Sequence, residues 1–177
     1  MCLGPLKAGR SVFVYTKLSS QMILKLKYSD KTFMVETFGD HLMGAFKGFE
    51  NPITLILPVP LHWRRQWIRK YNQSSLLANA LSKRCGLPVC HKGLKRVRPT
   101  KPLKGGSFKK RLATLKGVFA VNPKEKKTLH GQHILLIDDV WTTGATLQSC
   151  ADVLLKEGGA KSVSALTVAR VLPAELS

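Results

Sequence analysis

A chain of 177 residues, 44% of them hydrophobic, suggests one domain with an ordinary core and a small extension. Lys and Arg number 29 against 10 Asp and Glu, a net charge of +19, which points to anionic partners: nucleic acid, an anionic membrane surface or phosphorylated small molecules. No run is long and apolar enough to span a bilayer, and residues 1–20 hold no apolar stretch of signal-peptide length, so a cytoplasmic protein without membrane insertion is expected.

In chain order, residues 12–16 and 22–26 are predicted as short strands. Residues 33–46 carry Phe33, Met34, Phe38, Leu42 and Phe46 at near-helical spacing, and Gly48 with Asn51-Pro52 ends that segment. Residues 54–57 form a short apolar run, read as a buried strand, leading directly into Pro58-Val59-Pro60. A helix is predicted over 74–84, with Leu76, Leu77, Ala80 and Leu81 on one face and Gly86 and Pro88 as its stop. Residues 91–129 are rich in Lys and Arg and broken by Pro99, Pro102, Gly105 and Gly106, so a mobile loop with short strands is predicted there. A strand over 133–137, a helix over 146–156 and a strand over 162–168 then make a βαβ unit, hence a parallel sheet with helices on its faces. In that helix Leu147, Cys150, Ala151 and Leu154 share a face, and Gly158-Gly159 closes it.

The stretch "HILLIDDVWTTGATLQ", residues 133–148, carries the chemistry. In a parallel sheet, ligands bind beyond the carboxyl ends of the strands, where Asp138 and Asp139 stand. The helix that follows offers free N–H groups and the positive end of its dipole, which suits phosphate. Gly144 lets the backbone approach a ligand, while Thr142, Thr143 and Thr146 add hydroxyl donors. Like charge keeps the two carboxylates from holding the phosphate; they can accept hydrogen bonds from vicinal sugar hydroxyls or help organise a cation. The plain alternative is a turn whose acids face solvent. The full order of apolar strand, acid pair, Thr-Thr-Gly-Ala-Thr loop and amphipathic helix resembles the phosphoribosyl-pyrophosphate signature of type I phosphoribosyltransferases.

Earlier in the chain, Arg64, Arg65, Arg69 and Lys70 follow the Pro-Val-Pro turn. Such a turn with nearby arginines could hold pyrophosphate by bidentate, charge-assisted bonds, or could be a solvated basic face. Trp63, Trp67 and Tyr71 lie among these basic residues and could stack on unpaired bases, or simply pack. Other clusters are poorer. Cys2, Cys85, Cys90 and Cys150 make no CxxC pair and read as reduced thiols. His130 and His133 do not share a helical face and have no further ligand nearby, so no metal site is expected among the protein's own residues.

The segments "PVPLH", "YNQSSLLA", "LKRVRPT", "GVF", "ILLIDDVWTTGAT" and "VAR" occur in this order across about residues 2–170. Together they resemble the ComF/GntX family, phosphoribosyltransferase-like proteins linked in many bacteria to competence and DNA utilisation. The resemblance implies an α/β fold of the type I phosphoribosyltransferase kind: a five-stranded parallel sheet flanked by helices, with a small N-terminal hood. Residues 1–50 would be the hood and linker, and 51–177 the core. It implies that Thr142, Thr143, Gly144, Ala145 and Thr146 take the 5-phosphate and that Asp138 and Asp139 face the ribose hydroxyls. Pro58, Val59 and Pro60 would form the pyrophosphate turn, and Arg69, Asn72, Gln73 and Arg111 would join the substrate-binding set. Three positions depart from the family pattern. Only Cys2 stands where many members carry the paired cysteines of a zinc ribbon, so no zinc site is expected. Leu103 and Thr114 replace a Gln and an Asn in the segment that folds over the substrate, which bears on catalytic competence and on the acceptor.

Two readings stay open. In the first, the chain is an enzyme that binds phosphoribosyl pyrophosphate with magnesium and transfers phosphoribose to an unknown acceptor, mostly by positioning and charge neutralisation. In the second, it is a non-catalytic module that senses a ribose phosphate or grips single-stranded DNA through its positive charge. A partner-binding role in the competence machinery also fits the resemblance.

Overall fold

The computed structural model describes residues 4–28, 31–61, 71–100 and 108–172. Its centre is a parallel sheet of four strands: β1 (Gly9–Val14), β2 (Leu55–Pro58), β5 (His133–Trp141) and β6 (Ser162–Arg170), in the spatial order β1-β6-β5-β2. A small antiparallel pair, β3 (Leu94–Arg96) and β4 (Phe119–Val121), stands apart from it. The helices are α1 (Lys17–Tyr28), α2 (Lys31–Phe46), α3 (Gln73–Cys85), α4 (Phe108–Leu115), the single turn α5 (Lys126–Leu129) and α6 (Ala145–Lys156).

Strands covered on both faces read as continuous apolar runs, as in the Ile-Leu-Leu-Ile of β5. Alternate side chains go to opposite faces. Leu55, Leu57, Ile134, Leu136, Val163 and Ala165 pack against Leu147, Cys150, Ala151 and Leu154 of α6. On the other face, Ile56, Leu135, Ile137, Leu166 and Val168 pack against Ile23, Phe38, Leu42, Leu77 and Leu81 of α1, α2 and α3. Each fully buried Leu or Ile contributes about 1.5–3 kcal/mol, so these two layers hold the sheet edge that carries the site. A parallel α/β sheet with helices on both faces is therefore present as predicted.

The fifth strand implied by the family resemblance is reduced to one bridge. Ile56 N–H donates to the Pro88 carbonyl at 2.9 Å and Cys90 N–H to the Ile56 carbonyl at 2.9 Å, pairing Val89 with Ile56 in parallel. Pro88 has no N–H to extend the ladder in one direction; in the other, Pro58 has none and the chain turns at His91 and Lys92.

Two local expectations are corrected. Residues 22–26 are helical, within α1, because the chain is capped upstream: Thr16 N–H donates to Ser19 Oγ at 2.8 Å and Ser19 N–H to Thr16 Oγ1 at 3.3 Å. That start turns Ile23 into the second core layer, where it is fully buried. Residues 108–115 are a helix and not loop. Phe108, Leu112 and Leu115 recur at i, i+4 and i+7, Leu115 packs on the first core layer, and Ser149 Oγ of α6 donates to the Leu115 carbonyl at 3.3 Å. The short strands predicted in this basic region are β3 and β4.

Within residues 1–50, β1 pairs in register with β6 as the outer strand of the main sheet. There α2 lies against α3 across Gly39, where any side chain would meet the Arg84 guanidinium and Ala80. Arg84 bridges the two helices, its Nε donating to Asp40 at 2.8 Å and its Nη2 to Glu36 at 2.9 Å. Among the described residues no helix is long and apolar enough to cross a membrane.

Candidate functional site

The expected strand over 133–137 runs on to Trp141, so Asp138 and Asp139 lie inside the last turns of β5, at the carboxyl edge of the sheet. The alternation of faces inverts across them. Leu136 belongs to the α6-side layer and Ile137 to the other, whereas Val140 joins the far layer and Trp141 the α6-side layer. The acid pair thus marks the point where the strand stops feeding the core regularly.

Asp138 is held in place. Its Oδ1 accepts from Ser74 Oγ at 3.0 Å and from the Asp139 N–H at 2.9 Å. Ser74 is in the first turn of α3, and that turn is capped by Asn72, whose Oδ1 accepts from the Ser74 N–H at 3.1 Å. Asn72 reaches the other way too: Nδ2 donates to the Val59 carbonyl at 3.0 Å, while Val59 N–H donates to the Ile137 carbonyl at 2.9 Å. The Pro58-Val59-Pro60 turn, the start of α3 and the acid pair are therefore one hydrogen-bonded assembly. Gln73, in the same turn, is 2% exposed, and its Nε2 has no acceptor. A buried amide left without a partner is unusual in a finished core and common where a ligand is to be met.

The loop on the other side of the acids is shaped by Gly144, the N-cap of α6 at φ +82°. A Cβ there would lie 2.6 Å from Trp141 Nε1, so both the backbone angle and the space demand glycine. The N-cap Gly144 has no side chain to cap α6; Thr143 Oγ1 accepts a long bond from the Ala145 N–H, at 3.5 Å. The Gln148 N–H donates to the Gly144 carbonyl at 2.9 Å, and the amides before it in the turn have no intrahelical carbonyl to meet. Thr142, Thr143 and Thr146 are half-buried around them.

Sequence reasoning missed two contributors. Ser74 carries no local signal, since it meets Asp138 across 64 residues of chain. Trp141 sits within the motif but reads as an ordinary apolar strand residue; here it is 1% exposed, beneath the loop, with the Arg170 guanidinium carbon 5.3 Å from its ring centroid. Arg69 lies outside the described residues, as do Arg64, Arg65, Lys70, Trp63, Trp67 and Leu103. Arg111 is on α4, half-buried, with Nε lacking an acceptor. Thr114, the residue in the position of the family's Asn, donates to the Lys110 carbonyl of its own helix at 2.9 Å.

The thiols report on the electrostatics. Cys85, Cys90 and Cys150 are free. Burial pushes the Cys90 thiol up to about 11, helped by the neighbouring Glu125. Cys150 is raised well above the ordinary thiol value, first by burial and then by the charge of Asp138. His133 pairs with Ser162 at 2.7 Å and the His130 ring covers Gly159. On the flank of α6, Pro5, Leu112, Lys116, Gln148, Ser149 and Asp152 surround a cavity of about 510 Å³.

Residues 72–174 match the phosphoribosyl transferase domain. The chain belongs to that family. It is 31% identical over 166 residues to Competence protein ComFC of Bacillus subtilis, covering 93% of this chain and 65% of that protein. Over 149 residues it is 33% identical to Competence protein F of Haemophilus influenzae, with 81% and 65% covered. Over 151 residues it is 35% identical to DNA utilization protein YhgH of Shigella flexneri, with 82% and 65% covered. The chain thus spans about 65% of the length of these relatives. Adenine phosphoribosyltransferase from Leishmania tarentolae superposes with a TM-score of 0.46 at 15% identity, covering 82% of this chain and 76% of that one. The resemblance to competence and DNA-utilisation proteins of phosphoribosyltransferase type is borne out by these relatives.

Proposed function

We propose that the chain binds phosphoribosyl pyrophosphate together with magnesium and transfers the phosphoribose to an acceptor. One observation carries this reading: two carboxylates and a helix N-terminus opened by Gly144 share the carboxyl edge of β5, beside a Pro-Val-Pro turn bonded to the same strand. The 5-phosphate would take the amides and hydroxyls of residues 142–146, where donors and the helix dipole favour an anion. The ribose hydroxyls would donate to Asp138 and Asp139. Pyrophosphate would lie towards Pro58, Val59, Pro60 and the Gln73 amide, with Arg69 and Arg111 as further cationic contacts.

The donor set suits magnesium. Carboxylate oxygens are the ligands it takes alongside substrate phosphates, and among the described residues no three His, Cys, Asp or Glu side chains form a cage of their own. When bound, the ion neutralises charge on the departing pyrophosphate. The protein's part is to align the sugar for in-line displacement. The bond from the anomeric carbon to the pyrophosphate oxygen breaks, its electrons leave with pyrophosphate, and a lone pair of the acceptor forms the new bond. The carboxylates stabilise positive charge developing on the ring. The setting we propose is the cytoplasm.

A second reading has its own support in the +19 charge and in Thr114, whose hydroxyl is engaged by its own helix. In it the fold is kept as a ligand-sensing or single-stranded DNA-binding module of the competence machinery, in keeping with the names of the relatives. Calorimetric titration of phosphoribosyl pyrophosphate with magnesium separates the first reading from the DNA-binding form of the second, and pyrophosphate release on adding acceptors separates it from the ligand-sensing form. The enzyme reading expects micromolar binding that Asp138→Asn/Asp139→Asn abolishes. No binding by the folded wild type, with DNA binding that falls steeply as salt rises, would favour the second.

A further inference from the structure

We infer that Trp141 is a direct binding residue of this site, its indole N–H held in reserve for the ligand's phosphate monoester. The inference rests on the proposed ribose-phosphate reading and adds a residue to it. Three observations converge on the ring. It is 1% exposed, yet Nε1 has no hydrogen-bond acceptor, although a buried Trp N–H normally finds one. The N–H side of the ring faces the loop: Nε1 is the atom nearest to where a Gly144 side chain would begin, at 2.6 Å, ahead of Cε2 at 3.3 Å and Cδ1 at 3.6 Å. Gly144 is also the N-cap of a 12-residue helix and has no side chain to cap it, the Ala145 N–H reaching Thr143 Oγ1 only at 3.5 Å. The unpaired donor therefore lies beside the first turn of α6, where backbone donors and the helix dipole suit an anion.

The neighbourhood fits an anion and not a neutral group. Trp141 is opposite Arg170 in the β5–β6 register, and the Arg170 guanidinium stands over the indole at 5.3 Å from its centroid. A cation over the ring face draws electron density from the indole and sharpens the N–H as a donor. A buried donor left unmade is unfavourable in the ligand-free protein, and a phosphate oxygen relieves that penalty with a charge-assisted bond. Part of the binding energy for a phosphate monoester is thus stored as an unmet hydrogen bond. The N–H is buried against the Gly144 backbone, and the absence of a side chain there leaves it the space that a Cβ would fill, so the loop must open locally for a phosphate oxygen to meet it.

Ribose 5-phosphate is the probe, titrated calorimetrically into wild type, into Trp141→Phe, and into protein with Trp141 replaced by β-(3-benzothienyl)alanine, which keeps the bicyclic shape and lacks the N–H. Both replacements are expected to weaken binding at least about tenfold, or about 1.4 kcal/mol. The ligand-free benzothienyl protein is expected to denature at the same urea concentration as wild type or a higher one, because it removes an unpaired donor without opening a cavity. In the wild type, the Trp141 indole proton should move downfield as ligand is added. Wild-type binding with unchanged affinity in the benzothienyl protein would overturn the role of Trp141 and leave the site reading standing. A fall in the ligand-free midpoint would also overturn it, since the N–H would then serve the fold. No binding by wild type would sink both.

Discussion

Replacing Gly144 with alanine tests the geometry of the loop most sharply. At φ +82° an L-residue is forced into the left-handed region, at about 1–2 kcal/mol. The new methyl would also lie 2.6 Å from Trp141 Nε1, and overpacking of that kind costs about 1–3 kcal/mol. Since Trp141 is 1% exposed and packed in the first core layer, it has little room to retreat. The two terms together give about 2–5 kcal/mol, enough to lower the melting temperature by about 4–20 °C without unfolding a domain of ordinary stability. Combining Gly144→Ala with Trp141→Phe removes the atom that clashes and leaves the backbone penalty. The double-mutant cycle should therefore return a favourable coupling of about 1–3 kcal/mol. Urea denaturation of the four proteins measures it. A loss below about 0.5 kcal/mol for Gly144→Ala would refute the contact and the strain together, and strict additivity in the cycle would refute the contact alone.

Ser74→Ala should remove a hydrogen bond to a charged group and loosen the hold on the Asp138 carboxylate, lowering stability by about 1.5–3 kcal/mol and weakening phosphoribosyl pyrophosphate binding; calorimetry and denaturation on one preparation check both, and unchanged affinity would remove Ser74 as a positioning residue. Cys90 and Cys150 should resist alkylation at pH 8 in the native state, because burial keeps both protonated, and mass spectrometry of the labelled peptides reads this out. The Cys90 proton is held more tightly in the folded state, with the thiol at about 11 against 9.0 ordinarily. Its contribution to stability is therefore complete below pH 9 and is lost as pH rises through 11, visible as a falling denaturation midpoint that Cys90→Ala flattens.

The β5–loop–α6–β6 unit is legible in the sequence because everything that builds it is local. An apolar run, an acid pair, a glycine that must take a positive φ and a helical stripe follow one another within 40 residues. The parallel sheet follows from that unit by the rules of βαβ connection. What stays hidden is long-range or disguised. The run Met22-Ile23-Leu24-Lys25-Leu26 is short and mostly apolar, which suggests a strand, and the Thr16/Ser19 cap that makes it helical lies outside it. In α4, lysines and arginines obscure an apolar stripe of three residues, which matters only because α6 supplies a surface for it. The ties between Ser74 and Asp138, and between Asn72 and Val59, depend on where the fold puts β2 against β5. No spacing rule contains them. The acid pair was legible as chemistry, but its support was not.

The most direct test is to follow backbone amide resonances while ribose 5-phosphate with magnesium is added. If the carboxyl edge of β5 is the ligand site, the largest shifts fall on residues 138–146, with smaller ones at Val59, Asn72 and Gln73, and the amides of Ala145 and Thr146 move downfield as they meet the phosphate. Shifts scattered over surface lysines and arginines, with residues 138–146 unmoved, would contradict the account and leave the charge of the chain, not its loop, as the binding element.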